Sequence, residues 1–175
     1  DIDPQKSTQG TVPMNYTPGS GWDLSVEGFY KNLDNQLTYL NESRFLLSSE
    51  NLEQDLTVGT GRAYGIEFLI RKRSPKFNFW VAYTLGRSER KFDLLNEGET
   101  FPFKYDRRHD ISIALFHKFS KKVEISATWV YGSGNAITLP ESEFVVPSPA
   151  SPNSPIIIYN YGDRNNFRLP AYHRL

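Results

Sequence analysis

The sequence predicts an all-β protein made of antiparallel, up-and-down strands. Three observations lead to this class: strict alternation of apolar and polar residues, a composition suited to strands and turns, and connections that alternate between short and long. Aromatic residues make up 14% of the 175 residues, and the chain has 12 glycines and 11 prolines. These residue types favour strands and tight turns over helices.

Alternation identifies five strands that each carry one apolar face. Successive side chains of a strand point to opposite faces, so a spacing of two residues marks the residues that share a face. Helical spacing fits none of the five segments. The predicted apolar face consists of Trp22, Leu24, Val26, Gly28, Tyr30, Tyr64, Ile66, Phe68, Ile70, Phe79, Val81, Tyr83, Leu85, Ile111, Ile113, Leu115, Val123, Ile125, Ala127, Trp129 and Tyr131.

The connections between these strands alternate in length. Tight links are predicted at 16–21, 74–76 and 120–122, and long links at about 41–54, 93–108 and from 135 onward. Outer-membrane barrels have this rhythm, with short periplasmic turns and long extracellular loops. We therefore expect a segment of a large transmembrane β-barrel. Aromatic residues near the strand ends fit an interfacial girdle, namely Trp22, Tyr30, Tyr64, Trp129 and Tyr131.

A soluble β-sandwich that binds carbohydrate or peptide through its loops is the alternative, because its strands alternate in the same way. The two differ in whether a second sheet covers the apolar face. Within the last long link, residues 145–155 are rich in proline and serine and predict an exposed, irregular loop. Residues 156–159 predict a short strand inside that loop.

Composition excludes several functions. The formal net charge is zero, whereas a nucleic-acid-binding protein normally has a basic excess. The chain has no cysteine, which excludes disulfides, thiol catalysis and cysteine-based zinc sites. The three histidines, His109, His117 and His173, form no metal-binding motif. We expect no enzyme activity, no metal and no cofactor.

Several motifs in a fixed order resemble TonB-dependent receptors of the Bacteroidetes type. The resemblance runs from about residue 22 to the end and is weaker before it. Gly86 departs from the family, which usually has serine there. The motifs are Gly61–Glu67 (GRAYGIE), Tyr83–Arg90 (YTLGRSER), Tyr105–Ser112 (YDRRHDIS), Trp129–Ala136 (WVYGSGNA) and Pro170–Leu175 (PAYHRL).

The resemblance implies a 22-stranded barrel with a plug in the bacterial outer membrane that imports a nutrient. It also implies several partners: outer-membrane lipid, the rest of the barrel and plug, an inner-membrane energy-coupling complex and, in some members, a surface lipoprotein. We interpret residues 1–175 as one partial barrel domain from the C-terminal region of such a receptor, without the plug and the final strands. The transported substrate is not predicted.

Candidate site residues are assigned from their positions in this pattern. The cluster 106–110 would suit acid-base catalysis by composition, but no nucleophile or metal ligand is suitably spaced, so we expect a structural role. Charged residues on the polar face should point into the barrel lumen: Glu67, Arg71, Asp106, Arg108 and Asp110. Aromatic and basic residues in the loops and at strand ends are candidates for ligand contact: Phe103, Tyr105, Tyr159, Tyr161, Arg87 and Arg90.

Overall fold

The computed structural model describes residues 3–40, 56–148 and 151–175. The predicted long link at 41–54 lies outside these residues. Within the described residues, one 3-10 turn lies at Asn96–Gly98, and no helix is long and apolar enough to cross a membrane. The strands are β1 (Lys6–Gly19), β2 (Trp22–Tyr39), β3 (Leu56–Arg73), β4 (Phe77–Lys91), β5 (Phe101–Pro102), β6 (His109–Lys118), β7 (Glu124–Gly132), β8 (Ala136–Ile137), β9 (Pro140–Ser148), β10 (Ser151–Tyr161), β11 (Phe167–Arg168) and β12 (Tyr172–Arg174).

One antiparallel sheet forms the body of the structure. Its strand order is β1-β2-β3-β4-β6-β7-β12, and β5 extends the pairing of β4. From β1 to β7 the strands of this sheet follow one another in sequence, apart from the two-residue β5, which is the up-and-down topology that the alternating links predict. Two smaller sheets, β9 with β10 and β8 with β11, belong to the long connection between β7 and β12.

The register places all the predicted apolar residues of the central strands on one face. Leu24 pairs with Ile70, Ile70 with Val81, and Val81 with Ile113. These side chains are not sealed in a core: Ile66 is 42% exposed and Phe68 is 39% exposed, although both lie in the middle of the sheet. No described strand packs over this face, so the β-sandwich alternative is wrong.

The apolar face has the length of a membrane-spanning band. On β2 it runs from Trp22 to Tyr30, and on β4 from Phe77 to Leu85, nine residues in each case. Nine residues extend for roughly 26–30 Å along a strand, and a tilt of about 40° shortens this to roughly 20–23 Å. That height is close to the hydrophobic band of an outer-membrane barrel.

Two segments add to the strands that alternation identifies. Before residue 22 the chain forms the strand β1, which includes Pro13 and pairs with β2 along most of its length. The proline-rich segment 145–155 is more regular than predicted, since β9 reaches Ser148 and β10 begins at Ser151. The regular ladder of this hairpin starts at Ile156, and the register shifts between Ser151 and Ile156. The prolines therefore interrupt the pairing without preventing the hairpin.

Candidate functional site

A cavity of about 300 Å³ lies on the polar face, at the end of the sheet where the long loops emerge. Strands β2 and β4 provide its walls, and the connections 92–108 and 162–166 close over it. Its lining combines aromatic rings, cations and amides, which is the composition of a site for a polar organic ligand. The lining residues are Gln5, Gln36, Leu37, Thr38, Arg90, Phe92, Phe101, Phe103, Lys104, Arg164 and Asn165.

Arg90 and Phe103 form the central contact of this cavity. The Arg90 guanidinium carbon lies 4.0 Å from the centre of the Phe103 ring, a cation-π contact. Arg90 Nη1 also donates to the carbonyl oxygen of Glu89 at 2.9 Å. Phe103 packs edge-on against Tyr105 at 5.3 Å between ring centres. These contacts hold a cation and two aromatic rings at the cavity wall.

Two glycines of β3 make room for this arrangement. A Cβ atom on Gly61 would lie 2.7 Å from Arg90 Cδ, so the Arg90 side chain fills the space that a side chain at position 61 would occupy. A Cβ atom on Gly59 would lie 2.4 Å from the Phe92 ring and 2.3 Å from a backbone oxygen. Phe92 is buried as a consequence, and its ring packs 6.1 Å from that of Phe101.

Arg164 fastens the later connection to β2. Its Nη1 donates to Thr38 Oγ1 at 2.9 Å and its Nη2 to the Tyr39 carbonyl oxygen at 2.7 Å. The Arg164 backbone N–H donates to Asn96 Oδ1 at 2.7 Å. Asn165, which has a positive φ of 57°, donates from Nδ2 to the Pro102 carbonyl oxygen at 2.7 Å. Side chains from three separate parts of the chain thus define one wall.

Asp106 fastens the earlier connection. Its carboxylate accepts from the Ser88 backbone N–H at 2.6 Å and pairs with Arg168. The Asp106 side chain is 1% exposed, whereas that of Arg168 is 35% exposed. Arg168 Nη1 also donates to the carbonyl oxygens of Asp106 and Gly134, at 2.7 and 2.9 Å. The Asp106 carboxylate therefore accepts a hydrogen bond from β4 where a neighbouring strand would otherwise provide the acceptor.

The ligand-contact candidates do not form a single group. Arg90 and Phe103 line the cavity, and the exposed Tyr105 is adjacent. Arg87 lies on the opposite, apolar face, where it pairs with Glu89. Tyr159 and Tyr161 are exposed on the β9–β10 hairpin and are not part of the cavity lining. Ligand contact by any of the six remains a prediction.

The charged candidates lie on or beside the polar face. Glu67 pairs directly with Glu27, and both line an open cleft that also contains Lys31. Arg71 lies on the same face of β3, four residues from Glu67 and closer to the short turn at 74–76. Asp110 shares this face, because its neighbour Ile111 points to the apolar one. The backbone carbonyl oxygen of Arg108 accepts a hydrogen bond from the Gly86 N–H, which continues the pairing of β4 beyond β6.

Sequence reasoning missed Arg164, Asn165 and Arg168. Their partners lie 27 to 126 residues away in sequence, and no periodicity marks them. The two glycines Gly59 and Gly61 carried a usable signal, since glycine inside a strand often marks a close approach of another group.

The family comparison agrees with this architecture. A family model described as "TonB dependent receptor-like, beta-barrel" matches residues 1–175. The chain belongs to the TonB-dependent receptor β-barrel family. The match includes residues 1–21, where the motifs alone gave only a weak resemblance. Comparison with curated proteins and with solved structures found no match.

Membership of this family makes the chain a segment of an outer-membrane receptor barrel and assigns it to transport. The exposed apolar face is then the surface in contact with lipid hydrocarbon. The short turns mark the periplasmic end and the long connections the extracellular end. The cavity around Arg90 and Phe103 accordingly lies at the extracellular end of the face opposite the lipid.

Proposed function

We propose that this segment belongs to a receptor that imports a nutrient through its barrel, with energy relayed from an inner-membrane complex. In this proposal the polar face lines the barrel interior, so Glu67, Arg71 and Asp110 border the path. The cavity at the extracellular end is the first surface that an arriving nutrient contacts. Family membership supports the transport role, and the composition of the cavity supports the contact.

The observation that carries the proposal is the Arg90 guanidinium lying against the Phe103 ring at 4.0 Å. Aromatic rings stack on the apolar faces of sugars and on peptide side chains, while neighbouring amides and cations bind their polar groups. Lys104 and Asn165 supply such polar groups in the same cavity. Carbohydrates and peptides are therefore the proposed substrate classes.

Alanine substitution tests the contact in the complete receptor. Phe103→Ala and Tyr105→Ala should each lower uptake of either labelled oligosaccharides or labelled oligopeptides by cells that express the receptor. We expect a loss of about tenfold, since one aromatic contact contributes roughly 1–1.5 kcal/mol. Phe119→Ala is the matched control, because Phe119 is an exposed ring at the opposite, short-turn end. Unchanged uptake of both substrate classes by both variants would contradict the proposal.

A transport role without catalysis also fits the cluster 106–110. A general base must lie within hydrogen-bonding reach of its partner groups. His109 instead lies on the apolar face, where its ring stacks on Tyr83 and its Nδ1 is 2.8 Å from the Tyr83 hydroxyl. Asp106 is ion-paired with Arg168, and Asp110 lies on the polar face, opposite His109. We therefore assign this cluster to structure.

We also propose that the β9–β10 hairpin contacts a surface lipoprotein. A two-stranded hairpin is marginally stable alone in water, and this one exposes apolar residues on both faces. Phe144 and Ile158 pair on one face, and Val145 and Ile157 pair on the other. Substitution Ile157→Ser should reduce the lipoprotein that copurifies with the receptor. Equal copurification would refute this partner surface.

A further inference from the structure

Two arginines on the lipid-facing side of the sheet share one buried carboxylate. Arg62 of β3 donates from Nε to Glu89 Oε2 at 2.7 Å, and Arg87 of β4 contacts Glu89 Oε1, also through Nε. The Glu89 side chain is only 3% exposed, whereas the side chains of Arg62 and Arg87 are 49% and 43% exposed. The carboxylate is therefore covered by two guanidinium groups that remain open to the surroundings.

The way in which the arginines are held leaves their donors available. Each guanidinium uses Nε for Glu89, and within the described residues neither has a hydrogen bond from its terminal Nη groups. Two positive charges face one negative charge, so the group keeps a net charge of +1. A single arginine would be enough to neutralise Glu89, and the second leaves a cationic surface.

The height of this group in the membrane is defined by the strands. Arg62 is two residues beyond Tyr64, and Arg87 is two residues beyond Leu85, which ends the apolar band on β4. Two residues of a strand correspond to about 6–7 Å. Tyr64 stacks on Tyr30 at 6.2 Å between ring centres, directly below Arg62. Such aromatic pairs lie at the boundary of the hydrocarbon, so the arginines lie at the level of the headgroups.

Both strands lie inside the sheet, between β2 and β6. Neighbouring strands of the barrel therefore add at the edges of this sheet and do not cover the arginines. What faces them is the outer leaflet. Guanidinium groups bind phosphate oxygens through paired N–H donors, and a preorganised fork loses little freedom on binding.

We propose that Arg62 and Arg87, positioned by Glu89, clamp the phosphate of a lipid headgroup in the outer leaflet. The nutrient path lies on the other face of the sheet, so this site is independent of the proposed import function. A receptor that fails to import could still bind this lipid, and the reverse also holds.

The test uses the complete receptor in detergent, titrated with phosphorylated lipid A and with the same lipid after removal of its phosphates. The wild-type receptor should bind the phosphorylated form at least tenfold more tightly. Arg62→Gln and Arg87→Gln should each weaken that binding about tenfold, the effect of losing roughly 1.5 kcal/mol from hydrogen bonds to a charged group. Arg73→Gln is the control, since Arg73 lies on the same strand as Arg62 but at its periplasmic end and on the polar face.

Folding of each variant is checked by its heat-dependent mobility on a gel. If a glutamine variant does not fold, the wild-type preference for the phosphorylated lipid and the remaining variant still decide the question. Equal binding of both lipid forms, or unchanged binding by the folded glutamine variants, would overturn the proposal. Displacement of the lipid by inorganic phosphate at equal concentration would also overturn it, because the site would then bind a free anion rather than a headgroup.

Discussion

The anchoring of the 92–108 connection by Asp106 leads to a quantitative prediction for Asp106→Ala. The substitution removes the acceptor of the Ser88 N–H and leaves Arg168 without its carboxylate partner. A hydrogen bond to a charged group contributes about 1.5–3 kcal/mol, and loss of a buried partner adds a desolvation cost. Because Arg168 is partly exposed and can be rehydrated, we expect a total loss of about 2–3 kcal/mol.

This loss should be local, because the sheet beneath the connection keeps its own ladder. Hydrogen exchange followed by mass spectrometry should show about 30- to 150-fold faster exchange in peptides covering 101–108, which is the same free energy expressed as an opening constant. Asp106→Asn keeps an acceptor for Ser88 and should increase exchange only about fivefold. Unchanged exchange in Asp106→Ala would refute the anchoring role. An equal increase in peptides from β2 and β3 would show global unfolding and would also refute it.

Two further predictions concern the sheet itself. Gly59→Ala should lower the free energy of unfolding by about 1–3 kcal/mol, because the added Cβ overpacks against a backbone oxygen and a buried ring. Urea titration in lipid vesicles measures this free energy. Gly10→Ala is the control and should change it little, because a Cβ at Gly10 meets nothing within 4 Å. Ile66→Arg should lower the free energy of unfolding by about 2–4 kcal/mol, because it places a charge against hydrocarbon. Leu69→Arg, on the polar face, should lower it by less than about 1 kcal/mol. Equal losses in the same titration would show that the two faces were assigned wrongly.

Much of the fold is predictable because its main signal is local. A strand alternates its side chains with a period of two, so the apolar face from Trp22 to Tyr131 can be recognised before any pairing is known. Hairpins follow from the short links, since strands joined by tight turns pair as antiparallel neighbours. The order of β2, β3, β4, β6 and β7 then follows from sequence order alone.

Pairing partners that are distant in sequence could not be predicted in this way. The bond between Arg164 and Thr38 spans 126 residues, and no local pattern connects them. The ion pair of Asp106 with Arg168 spans 62 residues. Both depend on how two long connections fold over the end of the sheet, and loops lack the periodicity that identifies strands.

The sequence by itself determined that this chain is a run of amphipathic antiparallel strands of membrane-spanning length, because alternation and link length are properties of neighbouring residues. The tertiary structure alone decided which side chains meet. It brought Phe103 against Arg90 on the polar face and Arg62 beside Arg87 on the lipid face. An odd separation within a strand sends two side chains to opposite faces, and the register with β3 determines what each one contacts there.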